Sequence, residues 1–320
     1  MRTIRRNGFR WRGCLGLILL ACLQTACVSI RPVVKIGLLA PFEGLYRRTG
    51  YTALAAMRAA IAETPVTGVD ILPLALDDGN DPQRARRSAQ QLLADASVQA
   101  VVGPVTPETF FSVLALLPTS QPSWLAPFAV LPETGQIGDP RADTAWATDL
   151  VSAVAAAARH QRAQRLVLAG WTPGWPPFSA EAWTKLVGMP VLVTDEGNAV
   201  AKTDAVFWLS NPDGAALYLA NLRAAYPSVP FWLGPQGGDP VFVERVKSRG
   251  PVYWATWLGA DYDQWAIQHP DLATPAAYLV YQATRRSISR LTDQTPLPEP
   301  AWRIQLLIID EAGQSHPWPE

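Results

Sequence analysis

Alternating strand and helix patterns constrain the fold of this chain more than any other feature of its sequence. Residues 33–40 read VVKIGLLA, an apolar run typical of a parallel strand covered on both faces. Residues 52–63 have helical composition and spacing, and residues 69–76 predict a second strand. Pro73 inside that strand indicates an edge position or a bulge. The Asp-Pro pair at 81–82 then predicts the start of a second helix.

The same alternation occurs twice along the chain. Strands predicted at 98–104 and 123–128 complete the first series, and a break near residues 138–140 ends it. The second series consists of helices at 149–162, 178–188, 213–226 and 271–291 and strands at 165–170, 189–194, 204–210, 230–234, 251–257 and 303–310. Two series of comparable size predict an α/β protein of two doubly wound, Rossmann-like lobes.

The charge distribution argues against a nucleic-acid-binding protein. Residues 1–26 hold five arginines and no acidic residue, although the chain as a whole has a net charge of zero. The remainder is therefore mildly acidic, whereas nucleic acid binding requires a basic surface.

The N-terminal segment predicts export. MRTIRRNGFRWR is a basic region, and the apolar run CLGLILLACLQTA after it is too short to span a bilayer. The run contains LLAC, which ends at Cys22, and QTAC follows it and ends at Cys27; both are similar to the lipobox of bacterial lipoproteins. We expect lipidation at one of these two cysteines. An ordinary secretory signal with incidental cysteines is the alternative.

Cysteine usage agrees with a lipid anchor. All three cysteines lie in residues 14–27, so the body of the chain offers neither a disulfide framework nor a thiol nucleophile. Several acyl chains on one cysteine would anchor an otherwise soluble domain stably, since each buried CH₂ contributes about 0.8 kcal/mol.

Four motifs, in order, resemble one protein family. They are KIGLLAPFEGLYRRTGYTALAA, LALDDGNDPQRARRSAQQLLAD, VQAVVGPVTPET and FWLGPQGG. Together they resemble the periplasmic-binding-protein type I family, and in particular the branched-chain-amino-acid-type solute-binding proteins of ABC transporters. The resemblance spans roughly residues 34–283.

The resemblance implies a fold, a partner and an activity. It implies a first lobe of residues 33–144 and 258–294 and a second lobe of 145–257 and 295–320. It also implies a monomer that captures a small solute by hinge closure and delivers it to an ABC transporter permease. In open α/β sheets, ligands bind beyond the carboxyl ends of the strands, so the loops after strands are the expected site.

The family's ligand loops map onto this sequence with several departures. Val130 occupies the position of a family threonine, and Pro107 that of a family serine. Phe128 replaces a small residue and narrows the expected pocket. The ligand-binding positions predicted in the first lobe are Glu43, Arg48, Thr49, Thr106, Thr109, Phe128 and Ala129. Trp175 and Asn211 match family aromatic positions in the second lobe.

Gln236 carries the most informative departure. In the family, a carboxylate in this Gly-Pro-acid-Gly turn takes the α-ammonium group of the ligand. Glutamine offers one acceptor and two donors but no charge, and a buried ammonium without a carboxylate partner is unstable. We therefore expect a neutral polar or an anionic ligand, unless Glu43 supplies the missing carboxylate.

No motif predicts an enzyme, a metal site or a cofactor. The three histidines are far apart in sequence, and the chain contains no HExxH, P-loop, GxGxxG or GxSxG pattern. Asp77 and Asp78 are expected to fix a turn together with Asn80 and Asp81 rather than to perform chemistry. Two other functions are compatible with the fold: a ligand sensor or cell-envelope regulator, and an enzyme that reuses the cleft.

Overall fold

The structure is a computed structural model that describes residues 31–117, 122–131, 136–137, 145–170, 178–194, 199–247, 249–292 and 300–319. Within these residues the chain forms a mixed α/β fold with two main sheets. The α/β class with parallel sheets and flanking helices is as predicted.

The first sheet has four parallel strands in the order β2-β1-β3-β4. Its strands and helices are β1 (Val33–Ala40), α1 (Arg47–Glu63), β2 (Asp70–Asp77), α2 (Pro82–Ala94), β3 (Val98–Val102), α3 (Pro107–Val113) and β4 (Ser123–Leu125). β2 lies at the edge of the sheet, which confirms the position that Pro73 indicated, because an edge strand tolerates a residue without an N–H donor.

The second sheet has seven strands in the order β13-β12-β11-β10-β9-β7-β8. Its elements, with the small β5-β6 pair that precedes it, are β5 (Val130–Leu131), β6 (Gln136–Ile137), α4 (Ala145–His160), β7 (Arg165–Ala169), α5 (Ala180–Val187), β8 (Val191–Val193), β9 (Asp204–Trp208), α6 (Pro212–Ala225), β10 (Phe231–Leu233), α7 (Pro240–Val246) and β11 (Val252–Gly259). Strands β7 to β11 pair in parallel, whereas β12 runs antiparallel to β11.

After β11 the chain returns to the first sheet. The elements that follow are α8 (Tyr262–Gln268), α9 (Pro275–Leu291), β12 (Trp302–Ile309) and β13 (Ser315–Pro317). α9 packs against α1 and β3, while β12 and β13 join the second sheet. The chain therefore crosses between the two sheets more than once, and the second sheet is built from separated parts of the sequence.

Three helices begin four or five residues before or after the predicted start, and one of them is α4, which begins at Ala145 instead of residue 149. α1 begins at Arg47 instead of residue 52, because a polar turn rich in arginine, a good helix former, extends the helix beyond its apolar stripe. α9 begins at Pro275 instead of residue 271, with Thr274 as its N-cap. Proline lacks an N–H donor, so it is favoured at the first helical position and not inside the helix. The prediction did not include α3, α7 and α8, which are too short to show a clear helical period.

None of the helices in the described part of the chain is both long and apolar enough to cross a bilayer.

The turn after β2 is fixed by its aspartates, as expected. Asp77 accepts hydrogen bonds from the backbone N–H groups of Phe42 and Gly79, at 2.6 and 3.0 Å. Asp78 accepts from the N–H of Asn80 at 2.8 Å. Asp81 caps α2 by accepting from the N–H of Arg84 at 2.7 Å. These bonds tie the turn to the loop after β1, which is one of the predicted ligand loops.

The two neighbouring aspartates have pKa values shifted in opposite directions. Burial raises the pKa of Asp78 to about 7, and the bond from Asn80 and the charge of Arg84 oppose this effect. Burial also acts on Asp77, but the Arg84 guanidinium and the backbone donors outweigh it and lower its pKa. Asp78 thus favours its neutral form in the folded protein, and Asp77 its charged form.

We expect Asp78→Asn to remove a pH-dependent loss of stability. From about pH 4 to about pH 7 an unfolded Asp78 is ionised while the folded one keeps its proton, so the free energy of unfolding falls as the pH rises. The free energy of unfolding of the variant should exceed that of the parent by an amount that grows across this range to a few kcal/mol. Denaturant unfolding followed by tryptophan fluorescence at several pH values measures it.

Asp77→Asn is the matched control, with the opposite sign. Its folded pKa is lowered, so it stabilises the fold above its unfolded pKa, and this contribution disappears as the pH falls through the folded pKa. The free energy of unfolding of the variant should be lower than that of the parent at neutral pH and equal to it in acid. Parallel pH profiles for the parent and Asp78→Asn would contradict the assignment.

Candidate functional site

The loops at the carboxyl ends of the parallel strands face one another across a cleft between the two sheets. The loops after β1, β3 and β4 approach from the first sheet, and those after β9 and β10 from the second. They enclose a cavity of about 90 Å³, closed on a further side by the start of α9. Its walls are mainly apolar and include Pro41, Val105, Phe128, Pro212, Trp254 and Leu279.

The first bond across the cleft joins Thr49 to Asp239. The Thr49 hydroxyl, in the first turn of α1, donates to Asp239 Oδ2 at 2.5 Å. Asp239 is also the N-cap of α7, where Oδ1 accepts from the N–H of Val241 at 2.8 Å. Burial raises the pKa of Asp239, partly offset by the Thr49 bond. Both carboxylate oxygens of Asp239 therefore already have partners.

The second set of bonds centres on Glu108. This residue lies in the first turn of α3, and its Oε2 accepts from the Asn211 side-chain amide at 3.0 Å and from the Ser210 hydroxyl at 3.2 Å. Asn211 is at the same time the N-cap of α6, because its Oδ1 accepts from the N–H of Gly214. A carboxylate of one lobe is thus held by two donors of the other.

Tyr46 makes the third bond across the cleft. Its hydroxyl accepts from the backbone N–H of Asp213 at 3.1 Å, at the start of α6. Burial, and then the charge of Asp239, raises the pKa of Tyr46, so this side chain stays neutral. Asp213 in turn pairs with Arg245 inside the second lobe.

Gln236 is the buried polar residue of the described cavity wall whose side chain has no hydrogen-bond partner. Its side chain is 8% exposed, and both Oε1 and Nε2 are buried with no hydrogen-bond partner among the described residues. A buried amide without partners costs roughly 1–3 kcal/mol, so a group that supplies both a donor and an acceptor would be stabilising there.

Trp254 on β11 fixes the turn that carries Gln236. A Cβ at Gly237 would lie 2.2 Å from Trp254 Cβ, and one at Gly238 would lie 2.8 Å from the edge of its ring. No side chain larger than hydrogen fits at either position while the indole stays in place. The two glycines after Gln236 are therefore required for close packing and hold the glutamine against the cavity.

Comparisons with known proteins identify the fold to which this cleft belongs. Residues 33–170 match the family described as periplasmic binding protein. The chain has the type I periplasmic-binding-protein fold. The resemblance predicted from the four motifs is thereby confirmed. No curated protein matches the sequence.

Solved periplasmic-binding-protein structures agree over most of the chain. A leucine-binding protein of Thermotoga maritima has a TM-score of 0.68 at 14% identity, and the alignment covers 89% of this chain and 98% of that one. A possible leucine/isoleucine/valine-binding protein of Rhodopirellula baltica has a TM-score of 0.65 at 12% identity, with 92% and 98% covered. The branched-chain amino acid transporter substrate-binding protein LivJ of Streptococcus pneumoniae, solved with isoleucine, has a TM-score of 0.57 at 14% identity, with 88% and 97% covered.

The periplasmic-binding-protein cleft contains some of the predicted site residues and not others. Arg48, Thr49, Thr106, Phe128 and Gln236 line the cavity. Arg48 is exposed at its rim, whereas Phe128 is buried against Phe110 and Trp146.

The remaining predicted residues contact other groups. Glu43 is exposed and pairs with Arg84 at 3.0 Å, and Thr109 bonds the hydroxyl of Thr106 at 2.7 Å. Ala129 is fully buried, and Asn211 bonds Glu108 instead of lining the cavity. Trp175 lies outside the described residues, as do Cys22 and Cys27.

Sequence reasoning did not assign roles to Tyr46, Glu108, Asp239 and Trp254. Asp239 had a local signal, since an aspartate before proline is typical of a helix start. Glu108 lies in the quoted loop VTPET, but its partners are about a hundred residues away in sequence. Nothing local identifies such a pair.

We expect Glu108→Ala to shift the protein toward an open cleft. A charge-assisted bond contributes about 1.5–3 kcal/mol, so its loss should raise the open population by roughly tenfold or more. Spin labels at Tyr51→Cys on α1 and Leu217→Cys on α6, in a chain with its three cysteines changed to serine, report the distance between the lobes by pulsed electron resonance. Both label positions are exposed.

Glu244→Ala is the control for this measurement. Glu244 is an exposed glutamate of α7 that pairs with Lys247 inside the second lobe. An unchanged distance distribution in Glu108→Ala would show that Glu108 does not hold the lobes together.

Proposed function

We propose that this protein is an extracytoplasmic solute-binding lipoprotein. It captures a small polar molecule by closure of two lobes and delivers it, as a monomer, to an ABC transporter permease. It performs no chemistry on the solute. The family match of residues 33–170 and the fold support solute binding, and the basic N-terminal region with its short apolar run supports export.

The buried amide of Gln236 is the main observation that supports this proposal. It lies in a cavity between the lobes, on the turn after β10, and none of the described residues satisfies it. Native proteins leave few buried polar groups unpaired, and those that remain call for an explanation. A bound solute that pairs with Gln236 on one lobe and contacts Phe128 on the other would stabilise the closed state.

The hinge follows from the crossings of the chain. We take residues 33–144 and 258–294 as the first lobe, and residues 145–257 and 295–320 as the second. Closure then requires backbone rotation only near the crossings, while each sheet moves as a rigid unit.

A ligand sensor or cell-envelope regulator is the second candidate. The observation that favours it is the set of direct bonds between the lobes, made by Tyr46, Thr49 and Glu108. These bonds stabilise closure through the protein's own groups, and the cavity they enclose is small. A regulator needs a stable shape more than it needs rapid exchange of a solute.

Native mass spectrometry of the purified full chain distinguishes the two candidates. A transporter component should carry, or take up from a cell extract, one small molecule per chain that is released on mild activation. A chain that carries no molecule and takes none up favours the regulator.

We expect the cleft not to favour leucine, isoleucine or valine. Val130 removes a hydroxyl partner of the ligand carboxylate and Gln236 removes the partner of the ammonium, so both ends of the zwitterion lose a bond. Each loss costs about 1.5–3 kcal/mol, which together weakens a micromolar site to the millimolar range. Calorimetry with the unmodified protein measures this, and micromolar binding of leucine would refute it.

Gln236→Glu tests the reason for that preference. The new carboxylate should improve leucine affinity relative to the parent, whereas Gln268→Glu on the exposed face of α8 should not change it. Equal leucine affinity in Gln236→Glu and the parent would show that position 236 does not face the ammonium group.

We also expect lipidation at Cys22 or Cys27. Incorporation of a labelled fatty acid should disappear in the double variant Cys22→Ser, Cys27→Ser and persist in Cys14→Ser, because Cys14 precedes most of the apolar run. Equal labelling of the double variant and the parent would remove the anchor from the proposal.

A further inference from the structure

The buried amide of Gln236 also indicates the chemical class of the solute. This inference rests on the proposed function and makes it more specific. The side chain presents a donor, Nε2, next to an acceptor, Oε1, and both atoms are buried in the wall of the cavity without a partner among the described residues. The ligand must therefore offer an acceptor and a donor side by side.

A ligand that presents a carboxylate or an ammonium group can pair with only one of the two amide atoms of Gln236. A carboxylate has acceptors only, so one oxygen would bond Nε2 while the other would face Oε1, which is also an acceptor. An ammonium group has donors only and leaves Nε2 unpaired. A primary carboxamide carries C=O and N–H on one edge and can make both bonds in the same plane.

The charges around the cavity do not favour a second ionic end. Asp239 and Arg48 are the charged residues among the described lining. Both oxygens of Asp239 already accept hydrogen bonds, from Thr49 and from the N–H of Val241. Arg48 is exposed at the rim, where water screens its charge.

The size of the cavity limits the rest of the ligand. Its volume of about 90 Å³ is smaller than the roughly 150 Å³ of an engineered apolar cavity that binds benzene. Most of the described lining is apolar, with Val105, Phe128 and Leu279 among its residues. A short aliphatic tail suits this surface and volume better than the branched side chain of leucine does.

We propose that the cleft binds a short aliphatic primary carboxamide, whose C(=O)NH₂ edge pairs with both amide atoms of Gln236. The protein then discriminates by charge and by length: acids and amines of the same shape are rejected for their hydrogen-bonding pattern, and longer amides for their volume. Gln236 is the residue that determines specificity.

An isosteric series tests the charge requirement by calorimetry on the full chain. Acetamide, acetate and acetamidinium share one shape and differ in charge and in their donors and acceptors. Acetamide and propionamide should bind, with dissociation constants no lower than roughly tens of micromolar, because so few atoms limit the attainable affinity. Acetate and acetamidinium should bind at least tenfold more weakly, and hexanamide more weakly than propionamide.

Variants at position 236 assign the effect to this side chain. Gln236→Met keeps the volume and removes both hydrogen-bonding atoms, so acetamide affinity should fall at least tenfold. Gln268→Met, the same change on the exposed face of α8, should leave it unchanged. Gln236→Glu should reverse the preference toward acetamidinium. Thermal unfolding of each variant checks that it folds, and the ligand series on the parent tests the proposal even where a variant does not.

The outcomes separate this inference from the proposed function. Stronger binding of acetate or acetamidinium than of acetamide to the parent would overturn the carboxamide assignment. Binding of leucine, or of a larger solute from a cell extract, together with no binding of any short amide would also overturn the carboxamide assignment. The proposal that the protein captures a solute would remain valid in that case. If neither the amides nor an extract supplies a ligand, the proposed function fails as well.

Discussion

The parallel direction of the strands is the constraint on which the site depends. A parallel strand must be followed by a crossover, so all the loops at its carboxyl end lie at one edge of the sheet. Here β1, β3 and β4 of one sheet and β9 and β10 of the other bring such loops to a common cleft. Residues far apart in sequence become neighbours for this reason alone.

Lobe closure depends on a balance between bonds the protein makes to itself and bonds it makes to a solute. Thr49, Tyr46 and Glu108 cross the cleft and bond groups at or near the starts of α7 and α6. Backbone N–H groups at a helix start have no partner within the helix, and the Tyr46 hydroxyl satisfies one of them, the N–H of Asp213. These three contacts join the two lobes without any solute.

Gln236 and Trp254 form a unit that spans two strands. The indole on β11 packs on Gly237 and Gly238, and the same turn presents the glutamine to the cavity. A close backbone approach of this kind fixes the amide in place before binding, which reduces the entropy lost when a ligand pairs with it. In the proposed function, this neutral side chain would make the hydrogen-bonding pattern of the ligand, rather than its charge, the basis of recognition.

The sequence by itself determined the longer elements and their order, because strands and helices follow local periods and local caps. The run at 33–40 and the Asp81 cap depend on neighbours within a few residues, and Pro73 by itself restricts its strand to an edge position or a bulge. The sequence also placed Gln236 at the carboxyl end of a predicted strand, where ligand sites of open α/β sheets lie. Short helices such as α3 and α7 had too few residues to show a period.

Only the tertiary structure decided which side chains meet. Glu108 and Asn211 are 103 residues apart, and Thr49 and Asp239 are 190 apart, so no local pattern could pair them. No local pattern predicted that Glu43 pairs with Arg84 instead of lining the cavity. Nor did a local pattern predict that the Gln236 side chain has no partner among the described residues. Whether a polar side chain is satisfied depends on every group within about 3 Å of it, and only the packed chain defines those groups.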